Sequence, residues 1–201
     1  MELKDTYLTI EKEAQGLFKD KGSKFIAYAF PITAEDELKE HVQQLKKEHH
    51  NARHHCYAYR LGPSGELFRS NDDGEPSGTA GRPIYGQLLS HGLTNILVVV
   101  VRYFGGTLLG VSGLINAYKN ATIDVINNAE IIEKIIEKKY QLLFDYPLQN
   151  SVTRVIKEYQ LEVLNAKYEM YCTLEIAVRL AIEKAVIDKL KTVEGLKIEK
   201  I

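Results

Sequence analysis

Cysteine is scarce in this sequence: only Cys56 and Cys172 occur, far apart in the chain, so the fold must hold without disulfide staples. Net charge is nearly absent as well. The 26 Lys and Arg against 27 Asp and Glu leave −1 at pH 7, with a pI near 6.6. No global basic field draws such a chain to nucleic acid or to an anionic membrane, and any RNA contact must come from a local patch. Long apolar runs are missing too, since the longest, Ile96 to Val101, is far short of a membrane span. Met1-Glu2-Leu3-Lys4-Asp5 lacks the basic-then-apolar pattern of a leader, and the expected location is the cytoplasm. No repeat of solenoid period and no low-complexity tract occurs. Gly-Lys-Ser/Thr is absent, so no Walker A phosphate loop can be built.

What is present is ordinary globular composition, 45% hydrophobic and 26% charged over 201 residues, enough for two domains with real cores. Glycine is concentrated rather than spread. Seven of the fourteen glycines lie in Asn71-Asp72-Asp73-Gly74-Glu75-Pro76-Ser77-Gly78-Thr79-Ala80-Gly81-Arg82-Pro83-Ile84 and in the segment from Val98 to Gly113, which contains Arg102-Tyr103-Phe104-Gly105-Gly106-Thr107. Each segment sits where a strand hands over to a helix. There backbone N–H groups are ready donors for an anion, and glycine lets a ligand or another segment approach the backbone closely.

Taken in order, Thr6 to Phe18 reads as one opening strand, and Lys24 to Phe30 as a second. Thr33 is placed to cap a helix that has acids at Glu35, Asp36 and Glu37 in its first turn and Leu38, Val42 and Leu45 on its buried face. His55–Arg60 and Glu66–Arg69 form a hairpin about Gly62-Pro63-Ser64-Gly65. A short helix is expected from Pro83 to His91 and closed by Gly92. Thr94 to Phe104 is apolar enough for a central strand covered on both faces, and Val111 to Asn128 is a long amphipathic helix. The boundary is placed there, giving domains 1–128 and 129–201. The second domain reads as strand Ile131 to Tyr146, helix Pro147 to Tyr159, strand Leu161 to Leu164, turn Asn165–Lys167, strand Tyr168 to Arg179, helix Ile182 to Val193 and strand Leu196 to Ile201. This is the βαββαβ order of a ferredoxin-like sandwich. For the first domain the pattern indicates an α+β sheet with helices on one face.

The run DDGEPSGTAGRPI, followed by VVVVRYFGGTLLGVSGLINAY and preceded by Arg53-His54-His55-Cys56-Tyr57-Ala58-Tyr59, resembles the YigZ/IMPACT family from about Gly16 to Asn127. The rest resembles the small C-terminal domain of bacterial members. The resemblance implies an N-terminal domain like the second domain of ribosomal protein five of the small subunit, a shape shared with domain four of elongation factor G. It also implies a C-terminal domain like domain five of that factor, and a role around translation without a settled enzymatic activity. His55 matches the family's histidine-cysteine strand start and is kept as a site candidate.

Several constellations could carry chemistry. Ser77, Gly78 and Thr79 before one helix and Gly105, Gly106 and Thr107 before another, with Arg82 and Arg102 supplying charge, could hold an anion or RNA backbone. The alternative is that these glycines serve turns and packing while Asp72, Asp73 and Glu75 pair with the arginines internally. The same three acids suit a magnesium-assisted enzyme on a phosphate-bearing small molecule or nucleotide, or a solvated turn about Asp73-Gly74. His49, His50, His54 and His55 beside Cys56 do not converge as a zinc site, because neighbours on a strand point to opposite faces. Cys56 suits core packing better than nucleophilic work. In the second domain Tyr140, Tyr146, Tyr168 and Tyr171 are available for an RNA-binding sheet face, but bases and acids balance there and an ordinary solvated surface is favoured. The preferred reading is a non-enzymatic regulator that binds RNA, the ribosome or a translation factor through the paired glycine-rich loops. A purely protein-binding regulator is a third reading. No cofactor or metal has a positive signal, and the oligomeric state is not legible.

Overall fold

The computed structural model describes residues 5–201. Its contacts divide the chain into a unit of Tyr7–Lys134 and a second unit in which Ile135–Ile201 is joined by Asp5 and Thr6. The expected boundary after Asn128 falls a few residues before that division. Among the described residues no helix is long and apolar enough to cross a membrane.

The first unit is organised around the strand that the apolar run dictates. β6 (Ile96–Tyr103) is buried from Ile96 through Arg102. It lies at the centre of a five-stranded sheet of order β2-β3-β6-β4-β5, formed with β2 (Ala14–Asp20), β3 (Ser23–Pro31), β4 (His54–Leu61) and β5 (Leu67–Asn71). Side chains alternate across a strand. Ile96, Val98 and Val100 therefore join one core with α2 (Gly81–Ser90) and α3 (Gly110–Asn128), while Leu97, Val99 and Val101 join another with Leu38 and Leu45 of α1 (Glu35–Glu48). Helices thus cover both faces of this sheet, not one face as the element order suggested. The strand-rich start of the chain concealed that α1 packs on the side opposite α2 and α3.

Three local details also depart from expectation. The opening segment is two strands, because β1 (Thr6–Ile10) leaves the main sheet to pair with β7 (Ile131–Ile135). Ala34 rather than Thr33 caps α1, and Glu37 Oε1 reaches back to accept from the N–H of Ala34 and of Thr33, each at 2.9 Å. Helix α2 begins at Gly81, ahead of Pro83, because a carboxylate from outside the helix satisfies its first N–H groups, as described below.

The sheet's two edges differ. At β2 the end of α3 seals the edge: Leu17 N–H donates to Asp124 Oδ2 at 2.8 Å, and the Asn128 amide donates to the Gln15 carbonyl at 3.0 Å. Gly16 allows this approach, since a Cβ there would lie 2.5 Å from Val125 N. At the other edge β5 pairs with β4 alone.

The second unit is the expected sandwich. β8 (Glu137–Phe144), α4 (Gln149–Glu158), β9 (Glu162–Tyr168), β10 (Cys172–Arg179), α5 (Glu183–Leu190) and β11 (Lys197–Lys200) form an antiparallel sheet of order β11-β8-β10-β9 backed by two helices. Two expectations are corrected here. The Asn165–Lys167 turn is strand, and the bend falls at 169–171. Tyr140 is buried in the core with its hydroxyl donating to Glu183, so it is not on a solvent-facing sheet surface. Within this unit Asp5 forms an ion pair with Arg179.

Candidate functional site

The first glycine-rich segment folds around its own acids. Asp72 Oδ1 accepts from the N–H of Ala80 at 3.0 Å and of Gly81 at 2.8 Å, and Oδ2 accepts from Gly78 N–H at 2.8 Å. The donors that could have met an external anion at the start of α2 are therefore capped by a side chain of the same loop. Burial pushes the Asp72 carboxyl upward, but the three N–H groups outweigh it and hold the group below its usual range. Asp73 turns the chain with φ 39°; its Oδ2 accepts from His55 N–H at 2.7 Å and its Oδ1 from Lys46 Nζ at 3.2 Å. Thr79 is buried and its hydroxyl donates to the Pro76 carbonyl at 2.7 Å.

Glu75 ties the two glycine-rich segments together below the surface. Its Oε1 accepts from Arg102 Nη1 at 2.7 Å and from the Tyr118 hydroxyl at 2.8 Å. Tyr118 comes from α3 and is fully buried. Cys56 Sγ lies 3.3 Å from Tyr118 Oη and 3.0 Å from the Asp72 carbonyl, and its one proton can serve either acceptor. Burial pushes the Cys56 thiol far up, and the nearby carboxylates add to the shift, so this cysteine is a packed hydrogen-bonding group and not a thiolate nucleophile. Burial likewise pushes His55 down, against the opposing pull of Asp73, and favours the neutral ring.

The second glycine-rich segment is more open. Gly105 is structural: its N–H donates to Ser23 Oγ at 3.1 Å, and a Cβ would fall 2.0 Å from the Gly22 carbonyl carbon. Gly106 has φ 88° with open space where a Cβ would stand, and Gly106 and Thr107 are both exposed. Beside them lies a cleft of about 620 Å³ lined by Asn51, Arg53, His54, Arg102, Tyr103, Phe104 and Leu108. Arg102 stands between aromatic rings, its guanidinium carbon 5.5 Å from the Phe25 centroid and 5.6 Å from that of Phe104. Phe104 is 55% exposed, so part of its ring is open to another planar group. His54 Nδ1 lies 2.9 Å from the Asp73 carbonyl. A carbonyl only accepts, so that nitrogen carries a proton directed at Asp73.

Of the eight residues expected at an anion site, Gly78, Thr79, Arg102 and Gly105 are engaged internally. Ser77, Arg82, Gly106 and Thr107 remain exposed. Arg53, Phe104 and Leu108, which line the cleft, were not singled out from the sequence. Only the pairing of β4 with β6, His54 opposite Arg102, brings Arg53 and Phe104 to one place.

The model for the "Impact N-terminal domain" matches residues 21–126, which spans both glycine-rich segments and the cleft. The chain belongs to the IMPACT family. The IMPACT family member YvyE of Bacillus subtilis is 34% identical over 155 residues, covering 77% of this chain and 71% of that protein. IMPACT family member YigZ of Escherichia coli is 32% identical over 163 residues, covering 80% of each. A crystal structure described as that of a hypothetical protein shares 29% identity, covers 99% of this chain and 98% of its own, and superposes with a TM-score of 0.74. The α+β folds of both units are therefore found in a solved relative.

Proposed function

We propose that this IMPACT family member is a non-enzymatic, translation-associated regulator that binds single-stranded RNA at the cleft beside the second glycine-rich segment. The observation that carries the reading is the half-exposed Phe104 ring standing over the cleft with Arg53 and His54 among the lining side chains. A partly open aromatic ring beside a basic side chain suits an unstacked base with its backbone phosphate. Gly106 and Thr107, between Phe104 and Leu108 in the chain, add exposed donors. The family resemblance supports work around translation. The enzymatic alternative loses its residues, because Asp72, Asp73 and Glu75 are each turned to donors within the protein.

The test is fluorescence anisotropy of a labelled single-stranded RNA with the intact chain across a salt series. Binding that weakens linearly on a log–log plot, with a slope reduced by about one for Arg53→Ala, is the expected result. Absence of binding at low salt overturns the proposal. Arg102→Ala is unsuited to this test, since it strands Glu75 in the interior.

A further inference from the structure

The two edges of the five-stranded sheet are treated differently by the fold. Asp124 and Asn128 occupy backbone groups of β2, as described above. Among the described residues no hydrogen bond from outside the sheet reaches the β5 backbone, although the start of α2 packs at its end, where a Cβ on Gly81 would lie 2.7 Å from Asn71 N. The β5 residues Leu67 to Ser70 are all exposed, the strand contains no proline, and its register with β4 runs without a bulge. The edge is short and carries one charge at Arg69, but without proline or a bulge it still presents N–H and C=O groups to an extended chain of suitable side chains.

The side chains say what kind of chain. Phe68 stacks on Tyr85 of α2 with centroids 4.9 Å apart, and both Leu67 and Phe68 are about half exposed, at 47% and 54%. Arg69 points to the opposite face from Phe68 and shares it with Leu67, because their cross-strand partners Tyr59 and Leu61 belong to the core on the α1 side. Between Leu67 and His91 the acids Asp72, Asp73 and Glu75 are bound internally. Arg69 and Arg82 are the exposed charges that remain there, and among the described residues neither forms an ion pair.

We infer that β5 is a docking edge for an extended segment of a partner protein that adds a sixth strand to the sheet. The pleat fixes the pattern: apolar residues on the side of the Phe68–Tyr85 stack, alternating with an acid opposite Arg69. A second copy of this chain does not fit the pattern. Antiparallel pairing about the strand centre would set Arg69 against Arg69, a repulsive cross-strand pair.

The probe is a fluorescein-labelled peptide of sequence Thr-Val-Glu-Val-Thr, titrated into the intact chain at low salt, with amide hydrogen exchange followed in parallel. The expected result is saturable binding with new protection at Leu67–Asn71. Arg69→Glu should weaken binding about fivefold, and replacing the peptide's glutamate by lysine should restore it in that variant. Three results overturn the inference: no saturable binding, equal binding of the peptide with alternate amides methylated, or protection that spares β5. Concentration-dependent dimers of the free chain that protect β5 also overturn it, by naming a second copy as the occupant. RNA binding at the cleft is unaffected by any of these outcomes, so the two proposals fail separately.

Discussion

Arg102 Nη1 donates to Glu75 Oε1 at 2.7 Å with side chains only 7% and 3% exposed, so the two glycine-rich segments are joined by a charge pair withdrawn from water. Removing one partner leaves the other charge buried and uncompensated. Arg102→Ala or Glu75→Ala should each lower unfolding free energy by about 3–5 kcal/mol. Replacing both, as Arg102→Met with Glu75→Leu, should cost less than either single change plus the other. Urea denaturation of the four proteins in a double-mutant cycle checks this.

Asp72 closes the first loop by accepting three N–H bonds. Asp72→Ala should destabilise the protein by about 1–3 kcal/mol, mostly through unpaired loop donors. Burial opposes ionisation, but the N–H bonds hold the native pKa below the ordinary aspartate value of 3.8. The stabilisation from this group is thus fully present above about pH 4 and is lost as pH falls through the lower native value. Acid titration of the loop amides by NMR should show the change in the wild type and not in Asp72→Asn.

His55 gives a second pH dependence in a higher window. Its native pKa is depressed from 6.5, chiefly by burial. Between 6.5 and the lower native value the unfolded chain takes up a proton that the folded chain refuses, so stability falls as pH drops through that interval. The slope is at most about 1.4 kcal/mol per pH unit. His55→Gln should flatten this limb, as measured by chemical denaturation from pH 7 downward.

Glycine at 105 and at 106 should respond differently. Gly105→Ala forces a Cβ to 2.0 Å from the Gly22 backbone and should shift the packing of the β2–β3 turn, costing about 1–3 kcal/mol. Gly106→Ala meets no atom but must hold φ 88°, a conformational cost of about 1–2 kcal/mol without repacking. Thermal unfolding and the amide shifts of Gly22 and Ser23 distinguish them: only the first variant should move those resonances.

Much of the fold was legible because period and composition agreed. The apolar run at β6 required cover on both faces, and the βαββαβ rhythm of the second unit survived a shifted turn at 169–171. The sides taken by the helices were not legible, since no local pattern says that α1 lies opposite α2 and α3. At the site, the internal pairing of Glu75 with Arg102 was among the alternatives raised by the sequence. Its Tyr118 and Cys56 connections depend on tertiary approach alone. Arg53 and Phe104 escaped notice for the same reason: register, not sequence proximity, brings them to one cleft.

The measurement that bears most directly on the proposed function is RNA affinity of the Phe104→Ala, Arg53→Ala double variant beside the wild type at low salt. Both side chains are exposed, so folding should be retained, and circular dichroism verifies it. Loss of one stacked base and one phosphate contact should weaken binding at least tenfold, on the order of 1–3 kcal/mol for the stack alone. Unchanged affinity in the folded double variant would contradict the assignment of this cleft as the RNA site.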